Sequence, residues 1–386
     1  MIVAIAVVVI AGLFVFCLGS DCRSNNRVAR RIIRQAVCHA VIAPPRTPML
    51  ATVLHGPRDI RFETRADPEI LHPTDAIVRI SATCVCGSDL WPYRGIQPIG
   101  EPMPMGHEYC GIVEAVGAEV RHVKPGQFVI GSFFASDNSC PVCNFGYQSS
   151  CRQAEFIGGA QAPLLRVPLA DGTLVATPML PSPDMLPDLL SLSDVMGTGW
   201  FGAVAAQVKP GATVAVVGDG AVGQLAVLSA CQMGAERVIA MSRHPVRQAM
   251  ARDFGATDIV DVRGEEGVER IREMTAGLGV DCAIECVGTQ ESMMQAIHAT
   301  RVGGHVGYVG VPHGVTLKGE ELFFEHVNLH GGPAPVRQFL PKLIGLVLEG
   351  RLHPGKVFDL TLPLADVAEG YRAMDERRAV KTLLMP

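Results

Sequence analysis

The stretch from residue 213 to 223, TVAVVGDGAVG, limits what this chain can fold into more than any other. Residues 213 to 217 are all apolar or β-branched, the pattern of a parallel strand buried on both faces. Gly218-Asp219-Gly220-Ala221-Val222-Gly223 follows at once and fits G-x-G-x-x-G, after which 221–233 continues as an apolar-rich helix. Strand, glycine turn and helix in that order make a dinucleotide fingerprint. Gly218 permits the tight turn, Gly220 lets backbone approach a pyrophosphate, and Gly223 lets the helix lie close on the strand. The helix start, at Ala221 and Val222, offers free N–H groups and a positive dipole end to the phosphates.

Downstream, strand patterns at 237–241, 258–261, 280–287, 305–309 and 327–330 alternate with helical stretches such as 245–254 and 290–300. That alternation implies parallel strands joined by right-handed crossovers, a doubly wound α/β sheet of six strands. Upstream, short β-type runs at 51–54, 60–63, 76–82, 111–116 and 127–132 are separated by Gly, Pro and Asp, as in a small irregular barrel. A length of 386 residues suits these two domains, and 48% hydrophobic residues supply two cores. Residues 1–48 carry six arginines against one aspartate, so the remainder of a chain with net charge −5 is more acidic still. An acidic body argues against a nucleic-acid-binding surface.

Residues 1–19 form an unbroken apolar run, just long enough to cross a bilayer, with five arginines between Arg23 and Arg34. By the positive-inside rule this reads as an anchor that leaves the following domain in the cytoplasm. The alternative is that the segment lies outside the functional protein, since Met49 opens like a fresh chain directly into a strand after Pro44, Pro45 and Pro48. Both readings stay open on sequence.

Two polar clusters interrupt the barrel pattern. Cys84-Val85-Cys86-Gly87-Ser88-Asp89 follows one strand, and Gly106-His107-Glu108 precedes another. A cysteine and a histidine at neighbouring strand ends can share a zinc ion, which takes sulfur, nitrogen and oxygen donors and needs only three protein ligands in a catalytic site. Of twelve cysteines, Cys140, Cys143 and Cys151 also cluster. Short spacing in a chain with a nucleotide fingerprint favours metal over disulfides and a reducing compartment. Cys231, Cys282 and Cys286 sit in apolar patterns and read as inert core residues.

CxxD after a strand, GHE before one and a later G-x-G-x-x-G together resemble the zinc-dependent alcohol dehydrogenases of the medium-chain dehydrogenase/reductase family, from about Met49 to Pro386. The resemblance implies a GroES-like irregular β-barrel catalytic domain at 49–195 and a Rossmann domain at 196–332. It also implies a return to the catalytic domain at 333–386, behind the extension 1–48. Cys86 and His107 become catalytic zinc ligands, with Asp89 and Glu108 behind them and Ser88 as the hydroxyl that takes the substrate proton. The third ligand falls on Asp194, where other members carry Cys or Asp; its plainer role is an N-cap. A structural zinc falls on Asp137, Cys140, Cys143 and Cys151, with Asp137 replacing a cysteine, unless that site is degraded. Thr198, Val309 and Val311 line the nicotinamide pocket by the same resemblance, and Lys381 either reaches the coenzyme phosphates or is simply exposed.

Coenzyme choice is read at the end of the second strand, where an acid would bond the ribose 2′-hydroxyl of NAD. Ser242 stands there instead, with Arg243 next and Arg247 one turn on. A hydroxyl and guanidinium groups can bind a 2′-phosphate, which favours NADP(H), although both arginines also suit a solvated helix start. The expected function is hydride transfer between an alcohol, or an aldehyde or ketone in reverse, and NADP(H), in a homodimer or homotetramer. Zinc-free quinone or enone reductases and a non-catalytic NADP-binding redox sensor are the alternatives. The frequent relay histidine, three residues past the serine, is Trp91 here, which cannot act as a base near neutral pH. Trp91, Tyr93, Phe133 and Phe134 suggest an apolar aromatic pocket.

Overall fold

The computed structural model describes residues 48–386. The apolar run 1–19 and the basic segment behind it lie outside the described residues. Among those described, no helix is long and apolar enough to cross a membrane.

The nucleotide sheet has six strands in the order Asp258–Val260, Arg237–Met241, Thr213–Val217, Val280–Glu285, Thr300–Tyr308 and Asn328–Gly331. Every neighbouring pair is parallel. Thr213–Val217 is central because it can be buried on both faces. Val214 and Val216 enter one hydrophobic cluster while Ala215 and Val217 enter another across the sheet, as a period of two requires. The sequence pattern located these strands to within a few residues, the widest difference being an earlier start for Thr300–Tyr308. It passed over the helices Gly264–Met274 and Gly319–Glu325.

The other large sheet is mostly antiparallel. It runs Leu174–Ala176, Phe128–Gly131, Tyr109–Val116, Ala76–Cys84, Thr382–Met385 and Leu360–Pro363, with Leu164–Val167 also paired to Ala76–Cys84. The C-terminal strand therefore lies beside the strand that leads into the Cys86 loop, with Leu383 opposite Cys84. Ala82, Cys84, Phe128 and Ile130 of this sheet share one cluster with Val214, Val216 and Trp200, so a continuous core joins the two halves. A mostly antiparallel, irregular sheet and a six-stranded parallel sheet are thus joined in one α/β fold, as expected.

Cys282 is buried in the core, where loss of solvation pushes its thiol up to about 11. Cys231 and Cys286 are half-buried and pack against the same core.

Candidate active site and metal centres

Three separate elements deliver the central cluster. Ala76–Cys84 ends at the loop bearing Cys86, the extended segment before Tyr109–Val116 carries His107 and Glu108, and Asp194 stands at the start of the helix Val195–Ala205. The backbone turns at Cys86 because the Asp89 carboxylate accepts the Cys86 N–H at 2.9 Å. One donor atom each from Cys86, His107, Glu108 and Asp194 lie within 4.8 Å of one another, and all four residues are buried. His107 Nε2 is 3.2 Å from Asp194 Oδ2, and Cys86 Sγ is 3.8 Å from the same oxygen. Donors around tetrahedral zinc, at bond lengths of about 2.0–2.3 Å, stand roughly 3.3–3.8 Å apart. The spacing therefore suits a metal.

The electrostatics also suit one. Burial works against a charged imidazole at His107, yet Asp89, Cys86 and Asp194 lift it well above the ordinary histidine range. Loss of solvation, and then the charge of Glu108, push the Cys86 thiol up. Glu108 Oε2 is buried and finds no partner among the described residues. Three buried carboxylates, Asp89, Glu108 and Asp194, face one imidazole and the Lys381 ammonium, which leaves an excess of negative charge for a cation to balance.

The outer partners fix the donors. Asp89 Oδ1 sits 3.3 Å from His107 Nδ1, which leaves Nε2 for the cluster. The Thr198 hydroxyl donates to Asp194 Oδ1 at 2.6 Å, leaving Oδ2 toward Cys86 and His107. Asp194 occupies the N-cap position of its helix but its side chain makes no capping bond. Its carboxylate belongs to the cluster. Thr198 thus has a holding role that sequence reasoning missed, beside the expected place near the nicotinamide. Spacing held the signal, since Thr198 lies one helical turn after Asp194.

Ser88 is exposed in the loop next to Cys86. Three residues on, the Trp91 ring stacks on His313 with centroids 3.4 Å apart. Phe133, Phe134 and Phe156 form an aromatic group beside His107, whose ring centroid is 5.3 Å from that of Phe156 and 6.2 Å from that of Phe133. Phe156 was not anticipated. Tyr93, expected in that wall, instead packs on Tyr371 in a core cluster with Leu54 and Met105. The short helix Leu90–Tyr93 turns it inward.

Lys381 corrects a further expectation. It neither reaches toward coenzyme phosphates nor stands exposed: it is fully buried, and its ammonium donates to Glu108 Oε1 at 2.6 Å and to the Val85 carbonyl at 3.2 Å. The strand Thr382–Met385, hydrogen-bonded to Ala76–Cys84, draws it under the Cys86 loop. Burial opposes its charge, but Cys84, Glu108 and Cys86 hold it charged, well above the ordinary lysine range.

At the nucleotide turn, Gly218 has φ +119°, a conformation that L side chains rarely adopt. A Cβ at Gly223 would overlap the Gly218 carbonyl oxygen. Gly220 stands before the helix Ala221–Gln232, with Ala221 and Val222 in its first turn. Ser242 is buried and Arg243 exposed. Ser242 and Arg247 both engage Asp219, a residue the sequence reading passed over as an unspecified position of the glycine motif. Val309 is half-buried and Val311 exposed after the strand Thr300–Tyr308.

The outlying cluster stands in the loop around the short helix Pro141–Asn144. Donor atoms of Asp137, Cys140, Cys143 and Cys151 lie within 4.8 Å of one another. Cys140 Sγ is 3.6 Å from Cys143 Sγ and 3.9 Å from Cys151 Sγ. Backbone N–H groups of Asp137 and Gln153 point at the Cys151 sulfur at 3.4 Å each. Backbone bonds, first from Arg152, draw the Cys140 thiol down to about 7, while burial and the neighbouring thiols push Cys143 up. Asp137 spends one oxygen on the amides of Ser139 and Cys140, at 2.8 and 2.9 Å. Those bonds, with the Cys143 and Cys151 thiols, outweigh burial and hold its carboxyl below the usual range.

A dinucleotide turn and a buried thiol–imidazole–carboxylate cluster, joined through one core, define a metal-binding oxidoreductase. Residues 72–179 match the family model of the alcohol dehydrogenase GroES-like domain, and residues 221–347 match that of the zinc-binding dehydrogenase. The chain is 37% identical over 332 residues to a probable zinc-binding alcohol dehydrogenase of Mycobacterium tuberculosis, spanning 84% of either protein. It is 31% identical over 349 residues to zinc-type alcohol dehydrogenase B of Aspergillus flavus, spanning 87% of this chain and 81% of that one. Among solved structures, the alcohol dehydrogenase TADH from Thermus sp. ATN1 superposes with a TM-score of 0.80 at 30% identity, covering 87% of this chain and 99% of that one. This chain belongs to the zinc-dependent alcohol dehydrogenases of the medium-chain dehydrogenase/reductase superfamily.

Proposed function

We propose that this protein transfers hydride between an alcohol and NADP(H), at a zinc ion held by Cys86, His107 and Asp194. The observation that carries the reading is the convergence of those donors at metal spacing beside the orphaned Glu108 oxygen. Zinc bound there acts as a Lewis acid on the alcohol oxygen and lowers its pKa. Asp89 and Thr198 hold the His107 ring and the Asp194 carboxylate in place. The exposed Ser88 hydroxyl accepts the substrate proton. Trp91, three residues on, cannot take that proton, so the exposed Ser88 hydroxyl would pass it on to solvent water. Phe133, Phe134 and Phe156 favour alcohols with an apolar or aromatic substituent over polyols.

The turn from Gly218 to Gly223 would hold the coenzyme phosphates, and Thr198, Val309 and Val311 would line its nicotinamide end. NADP(H) is favoured by the exposed Arg243 beside Ser242 and Arg247. A structure of a zinc-binding dehydrogenase from Sinorhizobium meliloti bound to NADP superposes with a TM-score of 0.76 at 26% identity, covering 88% of this chain and all of that one. Asp137, Cys140, Cys143 and Cys151 hold a second, structural zinc. Residues 49–195 and 333–386 make the catalytic domain and 196–332 the coenzyme domain. The edge strand Asn328–Gly331 lies near the exposed Phe323 and Phe324 in sequence and is the natural seat of a homodimer contact.

The direct test assays NADP⁺ and NAD⁺ separately against primary, secondary, aromatic and polyol alcohols. Reduction of NADP⁺ by an apolar or aromatic alcohol is expected; no reduction of either coenzyme by any alcohol, in zinc-loaded protein, removes the reading.

A further inference from the structure

Two strand ends stand side by side in the nucleotide sheet, since Val217 pairs with Met241. Asp219 follows the first and Ser242 the second. The Ser242 hydroxyl donates to Asp219 Oδ2 at 2.7 Å, and Arg247 Nη1 donates to Asp219 Oδ1 at 3.1 Å. The His244 N–H donates back to Ser242 Oγ at 3.3 Å. Gln224 Nε2 ties the two elements together by donating to the Arg247 carbonyl at 2.9 Å. The Asp219 and Arg247 side chains are only 11% and 15% exposed. This is a built arrangement.

Its place matters because the adenine ribose of a dinucleotide lies between the glycine turn and the end of the second strand. The backbone at Gly220 is open, with no atom within 4 Å of where a Cβ would stand. We infer that Asp219 is a coenzyme-discriminating residue: from inside the glycine turn it supplies the carboxylate that the second strand end lacks. Its oxygens accept from a ribose 2′-hydroxyl and repel a 2′-phosphate. It also commits the Ser242 proton and the Arg247 charge, two of the three groups that would otherwise receive that phosphate. Arg243 alone is left unengaged among them.

Asp219 therefore works against the NADP reading proposed above, and its removal shifts preference whichever coenzyme the wild type favours. The inference rests on coenzyme binding at this turn and on nothing at the zinc. Isothermal titration of 2′,5′-ADP and of 5′-AMP into the full chain measures the effect without hydride transfer. In Asp219→Asn the ratio of affinities for 2′,5′-ADP over 5′-AMP rises by about tenfold, because a carboxylate charge beside the phosphate is gone. In Arg247→Gln, which leaves the Asp219 charge uncompensated, the same ratio falls. Opposite changes from two variants cannot come from loss of folding. A ratio within twofold of wild type in Asp219→Asn, or a shift in the same direction in both variants, overturns the inference. The wild-type ratio separately tests the NADP reading, and a dehydrogenase assay separately tests the chemistry.

Discussion

The two donor clusters share a substitution and differ in almost everything around it. Each has an aspartate where the family resemblance allows a cysteine, Asp194 in one and Asp137 in the other. The inner cluster is buried throughout, and its aspartate is shared out with care: Oδ1 accepts from Thr198 while Oδ2 stays with His107 and Cys86. The outer cluster is half-exposed and mostly sulfur, and one Asp137 oxygen is spent on the loop backbone. The inner arrangement mixes sulfur, nitrogen and oxygen donors, as the proposed catalytic zinc requires. The outer one closes a loop on itself, as a structural zinc does. A carboxylate can replace a thiolate without changing formal charge, and its additional oxygen is then held by a neighbour, the Thr198 hydroxyl in one cluster and the loop amides in the other.

That contrast can be broken most sharply at Cys86. Cys86→Ala is expected to cost about a thousandfold in kcat/KM, since a Lewis acid contributes several kcal/mol and each ~1.4 kcal/mol is tenfold. Its melting temperature should fall as well, because loss of the inner ion leaves buried carboxylates uncompensated, so turnover is compared per folded molecule. Thr198→Ala is expected to cost about 10–100-fold in zinc affinity or activity, the usual effect of removing a partner behind a metal ligand. An unchanged Thr198→Ala enzyme would mean that the hydroxyl merely satisfies itself against Asp194. Cys151→Ala should act the other way round. It loses the outer metal and roughly 5–10 °C of melting temperature by scanning calorimetry, while kcat per folded molecule changes by about twofold or less. If Cys151→Ala instead abolished turnover in folded protein, the division between an inner reacting site and an outer structural one would fail.

Much of this was legible in the sequence, for reasons that are local. The glycine turn could be read because each glycine answers a backbone requirement within six residues, as Gly218 with its positive φ shows. The short spacing of Cys140, Cys143 and Cys151 is likewise a local signal. Cys86, His107 and Asp194 were placed through resemblance, since their meeting depends on three elements far apart in the chain. Lys381 was misplaced because only the pairing of the last strand with Ala76–Cys84 brings it 273 residues back to Glu108. Asp219 was overlooked because its partners stand 23 and 28 residues on, across a strand and a crossover, and nothing in the glycine pattern marks its side chain. Tyr93 and Phe156 exchanged roles because helix facing and loop return are settled by packing, which hydrophobicity alone does not encode.

The measurement that bears most directly on the account is the zinc content of the purified enzyme, set beside alcohol-dependent reduction of NADP⁺ or NAD⁺ in the same preparation. The account predicts about two zinc ions per wild-type chain, one from each cluster, and about one in Cys86→Ala, with turnover lost alongside the inner ion. Full alcohol oxidation by folded protein that holds no zinc, or by Cys86→Ala, would contradict it.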